Sequence, residues 1–192
     1  MEDLPVEEAT VSRGDYLDLI PSCIHLAGAE RTLVTDHSSG YVLRDHLEDI
    51  IEKGIYDFIL IECPPPLSLL TTNALIASDS ILIPMKTDYL SIMGVPLLFE
   101  TIQRLQVRGN PNLEVLGILP TMFNSRNSHD NEALEVLRHS LGEDITIFDA
   151  INRATGFDKA AAEGAPTLEI LPDTPGVVNY QHLGNNIIER YA

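Results

Sequence analysis

The residue whose type and position most clearly suggest chemistry is Glu62, a carboxylate that directly follows the apolar run Phe58–Ile61. Such a run predicts a buried strand of a parallel sheet, and the acid would then lie at the sheet's carboxyl edge, where open α/β sheets bind ligands. In phosphate-transfer enzymes an acid at this edge holds Mg²⁺, often through water, while the metal bridges phosphate oxygens. The pattern indicates a candidate magnesium carboxylate, although an acid ending a strand is more often an ordinary solvated loop residue.

The residues after Glu62 form a stiff connection. Cys63 is followed by Pro64, Pro65 and Pro66, and three consecutive prolines restrict the backbone of a loop that would have to sense phosphate. We expect Cys63 to be a buried free thiol because it follows an apolar strand. The chain has only one other cysteine, so the sequence supports neither a disulfide framework nor a metal site built from cysteines. The six histidines share no metal-ligand spacing, and no Ser-His-Asp or Cys-His arrangement is evident.

Short apolar segments alternate with amphipathic ones along the whole chain, and this alternation predicts an α/β fold with a mostly parallel sheet and helices on both faces. We expect Ser128 to cap a helix and Thr174-Pro175 to open the terminal one. The predicted strands are Tyr56–Ile61, with the apolar stretch Phe58–Ile61, Ser80–Pro84, Leu113–Leu119, Ile145–Phe148 and Leu168–Leu171. The predicted helices are Val42–Lys53, Leu97–Val107, Asn131–Leu141 and the C-terminal segment, whose stripe consists of Val177, Tyr180, Leu183, Ile187 and Tyr191.

The formal net charge of the 192 residues is −17, and acids outnumber bases in every third of the chain. A uniformly negative surface repels DNA phosphate and anionic lipid, which proteins bind through clustered Lys and Arg. Adaptation to a salty cytoplasm is an alternative reason for this composition. No signal peptide and no apolar run long enough to span a bilayer are evident, so we expect a cytoplasmic protein that does not bind membranes.

The run that begins at Tyr56 resembles the Walker B region of the ParA/MinD family of partition ATPases, in which a YD-strand-D-C-P-P-S-L pattern precedes a leucine-rich stretch and an apolar strand that ends in proline. Three further blocks resemble the same family: LIPSCIHLAGAE, GILPTMFNSRNSHDNEALEVL and INRATGFDKAAAEGAPTLEI. Together these blocks cover almost the whole chain. The resemblance implies a P-loop NTPase-like fold over residues 1–192, with ATP and Mg²⁺ as cofactors in the family.

The resemblance also implies roles for individual residues. Glu62 occupies the Walker B position, as catalytic residue and as Mg²⁺ ligand through water, and Cys63, Pro64 and Pro65 form the switch loop. Thr121 and Met122 lie where the family's chain passes the adenine, with packing at a loop end as the alternative. Arg126 and Arg153 match basic positions that face DNA in the family, with ordinary solvated arginines as the alternative.

The sequence departs from the family pattern in ways that bear on activity. Family members open with a strand and a glycine-rich loop ending in Gly-Lys-Ser/Thr, whose amides and lysine cradle the phosphates. None of Lys53, Lys86 and Lys159 stands between glycine and Ser/Thr. The Walker B acid is glutamate instead of aspartate, which moves the carboxylate by about 1.5 Å. The family's next arginine after Arg153 is replaced by Gly156, so we expect weak or no non-specific DNA binding.

These features lead to three hypotheses. The first is a ParA-family protein of chromosome or plasmid partition that lacks the N-terminal Walker A portion of its domain and does not hydrolyse ATP alone. The second is a non-catalytic interaction module that regulates a complete ATPase, and the third is an inactive gene remnant. The resemblance implies a ParB-like centromere-binding protein or a full-length ParA-type subunit as partner, and association with the nucleoid. We also predict that Phe58–Ile61, without the neighbouring phosphate-loop strand, has an unpaired edge that a partner covers or that promotes aggregation.

Overall fold

The structure is a computed structural model that describes residues 5–33, 39–64 and 67–191. It contains helices and a parallel sheet, as the alternation of the sequence predicts. The chain divides into two compact units, one formed by Met1–Asp79 with Gln103–Leu113 and the other by Ser80–Ile102 with Glu114–Ala192. The single ParA-like domain over residues 1–192 stays a prediction.

The first unit is mainly helical. A two-stranded antiparallel sheet pairs β1 with β2, with Val11 opposite Leu19 and Ser12 opposite Asp18. The elements of this unit are α1 (Val6–Ala9), β1 (Val11–Ser12), β2 (Asp18–Leu19), α2 (Leu26–Leu33), α3 (Val42–Lys53) and α4 (Leu69–Ala77), and α5 (Tyr89–Arg108) contributes its last turns.

Helix α3 has the bounds that its sequence predicts. Leu47 and Ile50 are buried on its inner face, and Gly54 ends it in the left-handed conformation, with φ of 58°. At its other end Tyr41 supplies no side-chain cap. The amide N–H of Leu43 instead donates to Oδ1 of Asn73, at 3.2 Å. Because the first N–H groups of a helix have no partner inside it, this contact makes a residue of α4 the cap of α3.

Both ends of α4 are tied to distant parts of the first unit. The amide Nδ2 of Asn73 donates to the carbonyl oxygens of Ser39, at 2.6 Å, and Leu69, at 3.0 Å. At the carboxyl end, Nδ2 of Asn110 donates to the carbonyls of Leu75, at 2.9 Å, and Ser78, at 2.6 Å. The last carbonyls of a helix need such external donors, so two asparagines satisfy backbone groups that the helices cannot satisfy themselves.

The second unit is built on a parallel pair of strands. β3 pairs with β4 from Ser80 opposite Glu114 to Lys86 opposite Thr121, with a bulge after Ile81. Parallel bridges at Ile118↔Ile147 and Phe123↔Asn152 place a third segment on the other side of β4. The elements of this unit are β3 (Ser80–Lys86), most of α5, β4 (Glu114–Thr121), α6 (Ser128–Leu141), α7 (Thr155–Glu163), α8 (Thr167–Ile170) and α9 (Val177–Tyr191).

The apolar core of the second unit lies where β4 meets α9. Leu119, Ile151 and Leu183 are buried there. Partly buried side chains pack around this cluster, among them Phe157 and Ile187, and the rings of Phe157 and Tyr180 meet edge to face with centroids 5.9 Å apart. The helical spacing of the C-terminal segment therefore predicted correctly that Val177, Leu183 and Ile187 face inward, whereas Tyr180 and Tyr191 of the same stripe are exposed.

Several sequence predictions about strands are wrong. Phe58–Ile61 has no assigned strand, because none of the described residues forms a ladder with it. Ile145–Phe148 makes only the bridge at Ile147, and Leu168–Leu171 lies mostly in α8, whose start follows Pro166. A short apolar run fits a strand or a helix equally well, so pairing partners and neighbouring turns decide between them.

Helix boundaries also differ from the predictions. α6 begins one residue after its cap, which is Asn127 and not Ser128. The terminal helix begins at Val177, since Gly176 has φ of 95° and cannot belong to a right-handed helix. α5 begins eight residues earlier than predicted, with Pro96 inside it. None of the helices in the described ranges combines the length and apolar character that crossing a bilayer requires.

Candidate functional site

The Glu62 segment belongs to the first unit. The side chains of Glu62, Cys63 and Pro64 are exposed, and Pro65 lies outside the described residues. The prediction that Cys63 is buried is wrong: its thiol is free and exposed. Partial burial, with the adjacent Glu62 carboxylate as the smaller cause, raises the pKa of this thiol. Both effects disfavour the thiolate, so Cys63 has no sign of an activated nucleophile.

No group of three or more His, Cys, Asp or Glu side chains that could hold a metal ion occurs in the described ranges. Glu62 is therefore not part of a preformed cluster of three protein ligands in these ranges. One carboxylate is enough for Mg²⁺ only where substrate phosphates and water supply the other ligands. Its roles as Walker B residue, catalytic residue and Mg²⁺ ligand stay predictions.

In the second unit, the candidate residues lie at the carboxyl ends of β3 and β4, where the two strands finish side by side. The amide of Thr87 donates to the carbonyl of Thr121, at 3.2 Å, which continues the ladder one residue beyond β3. Thr87 is buried, with 5% of its surface exposed, whereas Thr121 is partly buried. Ligands of open α/β sheets bind beyond this edge. Thr121 lies at the end of a strand, and its role beside the adenine stays a prediction.

Met122 has an unusual backbone. Its φ of 56° makes it the one residue other than glycine with positive φ in the described part of the chain, and 54% of its side chain is exposed. A side chain in this left-handed region costs energy that only the surrounding structure can offset. The backbone turn at Met122 redirects the chain into a second set of hydrogen bonds.

Those bonds join the segment after β4 to the start of the loop that carries Arg153. The amide of Phe123 donates to the carbonyl of Ile151, at 3.1 Å, and the amide of Arg153 donates to the carbonyl of Phe123, at 2.9 Å. Thr121, Met122 and Arg153 are thus parts of one hydrogen-bonded edge. The guanidinium-bearing side chain of Arg153 is exposed.

Arg126 lies in the turn between β4 and α6, and a polar network fixes this turn. Its amide donates to Oδ1 of Asn124, at 3.1 Å. The carboxylate of Asp130 accepts from the amide of Asn124, at 2.9 Å, and from Nδ2 of Asn127, at 2.6 Å. The hydroxyl of Thr87 also reaches Asp130, at 3.4 Å. One carboxylate therefore connects the end of β3, the turn and the first turn of α6.

Thr87, Asn127 and Asp130 are site residues that the sequence reasoning missed. A signal was present, because Asn127 with an acid three residues later is an N-terminal capping pattern of a helix. We name the assembly of Thr87, residues 121–127, Asp130 and residues 151–153 the second-unit rim. Its exposed cations are the side chains of Arg126 and Arg153.

The described residues do not fit a triphosphate. A phosphate cradle needs successive backbone N–H groups and a lysine at the start of a helix, and the three lysines of the chain lie outside any Gly-Lys-Ser/Thr context. At the second-unit rim the backbone N–H groups of Phe123, Asn124 and Arg153 are already engaged within the protein. With these N–H groups engaged, the rim does not present a preformed anion nest.

Comparison with known sequences identifies what the chain is similar to. Residues 1–115 match the family described as "AAA domain". The chromosome partitioning protein ParA of Caulobacter vibrioides is 34% identical over 192 residues, an alignment of 99% of this chain and 71% of that protein. ParA of Myxococcus xanthus is 33% identical, over 99% of this chain and 66% of that protein. An uncharacterized Mycobacterium tuberculosis protein, Rv1708, is 32% identical, and the chain spans 56% of its length.

Solved structures with the same fold include nucleotide complexes. Cobyrinic acid a,c-diamide synthase of Mycobacterium smegmatis with bound ADP and magnesium superposes with a TM-score of 0.71 at 32% identity, over 79% of this chain and 60% of that chain. A variant of the Cyanothece protein McdA in complex with ATP superposes with a TM-score of 0.79 at 22% identity, over 94% of this chain and 72% of that chain. The predicted class, an α/β fold of the P-loop NTPase kind, is confirmed.

Proposed function

This chain belongs to the AAA-domain family of ParA/MinD-type proteins, and from that premise we propose that it serves DNA partition as a member that does not hydrolyse ATP on its own. The relatives named chromosome partitioning protein ParA support the partition role. The second-unit rim is the observation that carries the proposal, since the N–H groups of Phe123, Asn124 and Arg153 at this edge are already engaged by the protein.

Without a cradle of amides and lysine, the affinity of these 192 residues for a triphosphate should be low, because those groups supply most of the stabilisation of phosphate. Any nucleotide would then contact the rim through its base, on the side of Thr121 and Met122. ATP and Mg²⁺ would be cofactors of a complete partner subunit, and Glu62 would lie idle at the Walker B position in this chain alone.

A ParB-like centromere-binding protein or a full-length ParA-type subunit is the partner class that the family relationship favours. Direct binding to DNA would be weak. The net charge of −17 opposes it, and Arg126 and Arg153 are only two exposed cations at the rim. The chain would therefore act through protein contacts instead of through contacts with the chromosome or plasmid.

The test is a turnover assay of the purified 192-residue chain with ATP and Mg²⁺, alongside its Glu62→Ala variant. We expect no phosphate release above background from either protein. Magnesium-dependent turnover that Glu62→Ala abolishes would overturn the proposal. A pull-down with a ParB-like protein and with a full-length ParA-type subunit checks the partner class, and capture of neither argues against a partition role.

A further inference from the structure

The start of α4, where the connection that follows Glu62 ends, is less buried than the rest of this helix. The side chains of residues 73–76 are buried, whereas those of residues 68–70 are only partly buried. Ser68 stands at the N-cap position, but its side chain makes no capping bond. Because the first N–H groups of a helix have no partner inside it, the first turn of α4 needs an acceptor from elsewhere.

Glu30, on α2, supplies this acceptor. The amide N–H of Leu70 donates to Oε1 of Glu30, at 3.3 Å, and the two residues are 40 positions apart in the sequence. A carboxylate at this end of a helix also interacts favourably with the partial positive charge of the first N–H groups. Glu30 is the last residue of the block LIPSCIHLAGAE, for which the sequence alone indicated no chemical role.

We propose that Glu30 is a positioning residue, which fixes the start of α4 and thereby the connection that begins with Glu62 and Cys63. This connection contains three consecutive prolines, Pro64, Pro65 and Pro66. Proline rings fix φ, so the connection passes on a displacement of its carboxyl end instead of absorbing it by bond rotation. Glu30 thus acts on Glu62 through the backbone. The inference is independent of the proposed function, since it requires neither nucleotide nor DNA.

Other contacts hold the rest of α4 when Glu30 is removed. Nδ2 of Asn110 donates to the carbonyls of Leu75 and Ser78 at the carboxyl end. In the middle of the helix, Nδ2 of Asn73 donates to the carbonyl of Ser39. Loss of Glu30 should therefore loosen the first turn alone, and this local effect distinguishes a positioning residue from a residue that only stabilises the fold.

Cys63 serves as the reporter of the connection. With Cys23→Ser in every protein, Cys63 is the only thiol of the 192-residue chain. Its rate of reaction with iodoacetamide at fixed pH follows its exposure and its thiolate fraction, and we expect Glu30→Ala to raise this rate about threefold. Hydrogen exchange at the amide of Leu70 should become about fivefold faster, the effect of losing a helix cap, while exchange at the amide of Ile76 stays unchanged.

Three further variants sharpen the test. Ser68→Asp places a carboxylate at the helix's own N-cap, and in the Glu30→Ala background it should return both rates to within about twofold of the parent. Glu30→Gln keeps the shape of the side chain and one acceptor oxygen, so we expect a smaller acceleration in the same direction. Glu48→Ala, which removes an exposed glutamate of α3, is the matched control and should change neither rate.

Four results would each overturn the inference. The first is an unchanged rate at Cys63 in Glu30→Ala and Glu30→Gln, and the second is an equal acceleration by Glu48→Ala. The third is a failure of Ser68→Asp to restore the rate at Cys63. The fourth is an equal acceleration of hydrogen exchange at Leu70 and at later amides of α4, which would mean a general loss of stability.

Discussion

Replacing Asn73 with leucine tests the idea that one buried amide joins α3 to α4. Asn73 is 4% exposed, and its side chain accepts from Leu43 and donates to the carbonyls of Ser39 and Leu69. Leucine branches at the same atom as asparagine but has no polar atom. The Asn73→Leu variant therefore leaves the amide of Leu43 and the carbonyl of Ser39 without these partners, and it creates no large cavity.

The expected cost follows from the number of bonds. A buried hydrogen bond contributes about 1 kcal/mol net to the free energy of unfolding, and a buried polar group that loses its partner lowers that free energy by more. Removing the bonds of Asn73 should therefore lower the free energy of unfolding by about 2–4 kcal/mol. For a chain of this length that loss lowers Tm by about 5–15 °C. Urea unfolding followed by far-UV circular dichroism measures the change in the free energy of unfolding, and we expect a lower midpoint with an unchanged slope.

Asn131→Leu is the matched control. The side chain of Asn131 also donates to two carbonyls, those of Ser125, at 2.9 Å, and Asn127, at 2.7 Å, but these bonds lie exposed to solvent. Water replaces exposed bonds, so this variant should lose less than about 1 kcal/mol. If Asn73→Leu costs no more than Asn131→Leu, the reasoning about the buried cap is refuted.

Two further predictions concern the second unit. Gly117→Ala should destabilise the protein by about 1–3 kcal/mol, because a Cβ at this position would lie 2.6 Å from the carbonyl oxygen of Thr146. Urea unfolding measures this loss in the free energy of unfolding. An unchanged midpoint would contradict the close approach. The pKa of Asp88 is lowered, chiefly because its carboxylate accepts from the amide of Ser91, at 2.8 Å. The ionised form therefore favours the folded state above the ordinary aspartate pKa of about 3.9, and this contribution is lost as pH falls through the lower folded value. Carbon-detected NMR titration should give Asp88 a midpoint below that of ordinary aspartates, and Ser91→Pro, which removes the donor, should raise it.

Local patterns determined how far the sequence could predict the fold. Val42–Lys53 was predicted with the observed bounds because its apolar spacing and Gly54 both act within the segment. Phe58–Ile61 was predicted as a strand and is not one, because a strand also needs a neighbour that no local pattern reveals. The prediction of a strand at Leu168–Leu171 was wrong for a related reason, since a short run of residues shortly after a proline can form a single helical turn.

In the candidate site, too, local patterns predicted some features, whereas features that depend on distant contacts could not be predicted. Thr121 and Met122 were predictable as residues at the end of a strand, and the structure places them there with Arg153. The left-handed backbone of Met122 was not predictable, because methionine carries no preference for it. The local contacts of Asp130 with Asn124 and Asn127 had a signal in the sequence, but its contact with Thr87 spans 43 residues and depends on the assembled sheet.

The placement of Asn73 also affects how the first unit opens. A helix capped by its own preceding residue can fray and re-form without reference to its neighbours. α3 begins on an amide that belongs to the middle of α4, so unwinding α4 removes the start of α3 as well. We therefore expect the two helices to open together as one foldon when α4 unwinds, which exposes the backbone at the start of α3 as well.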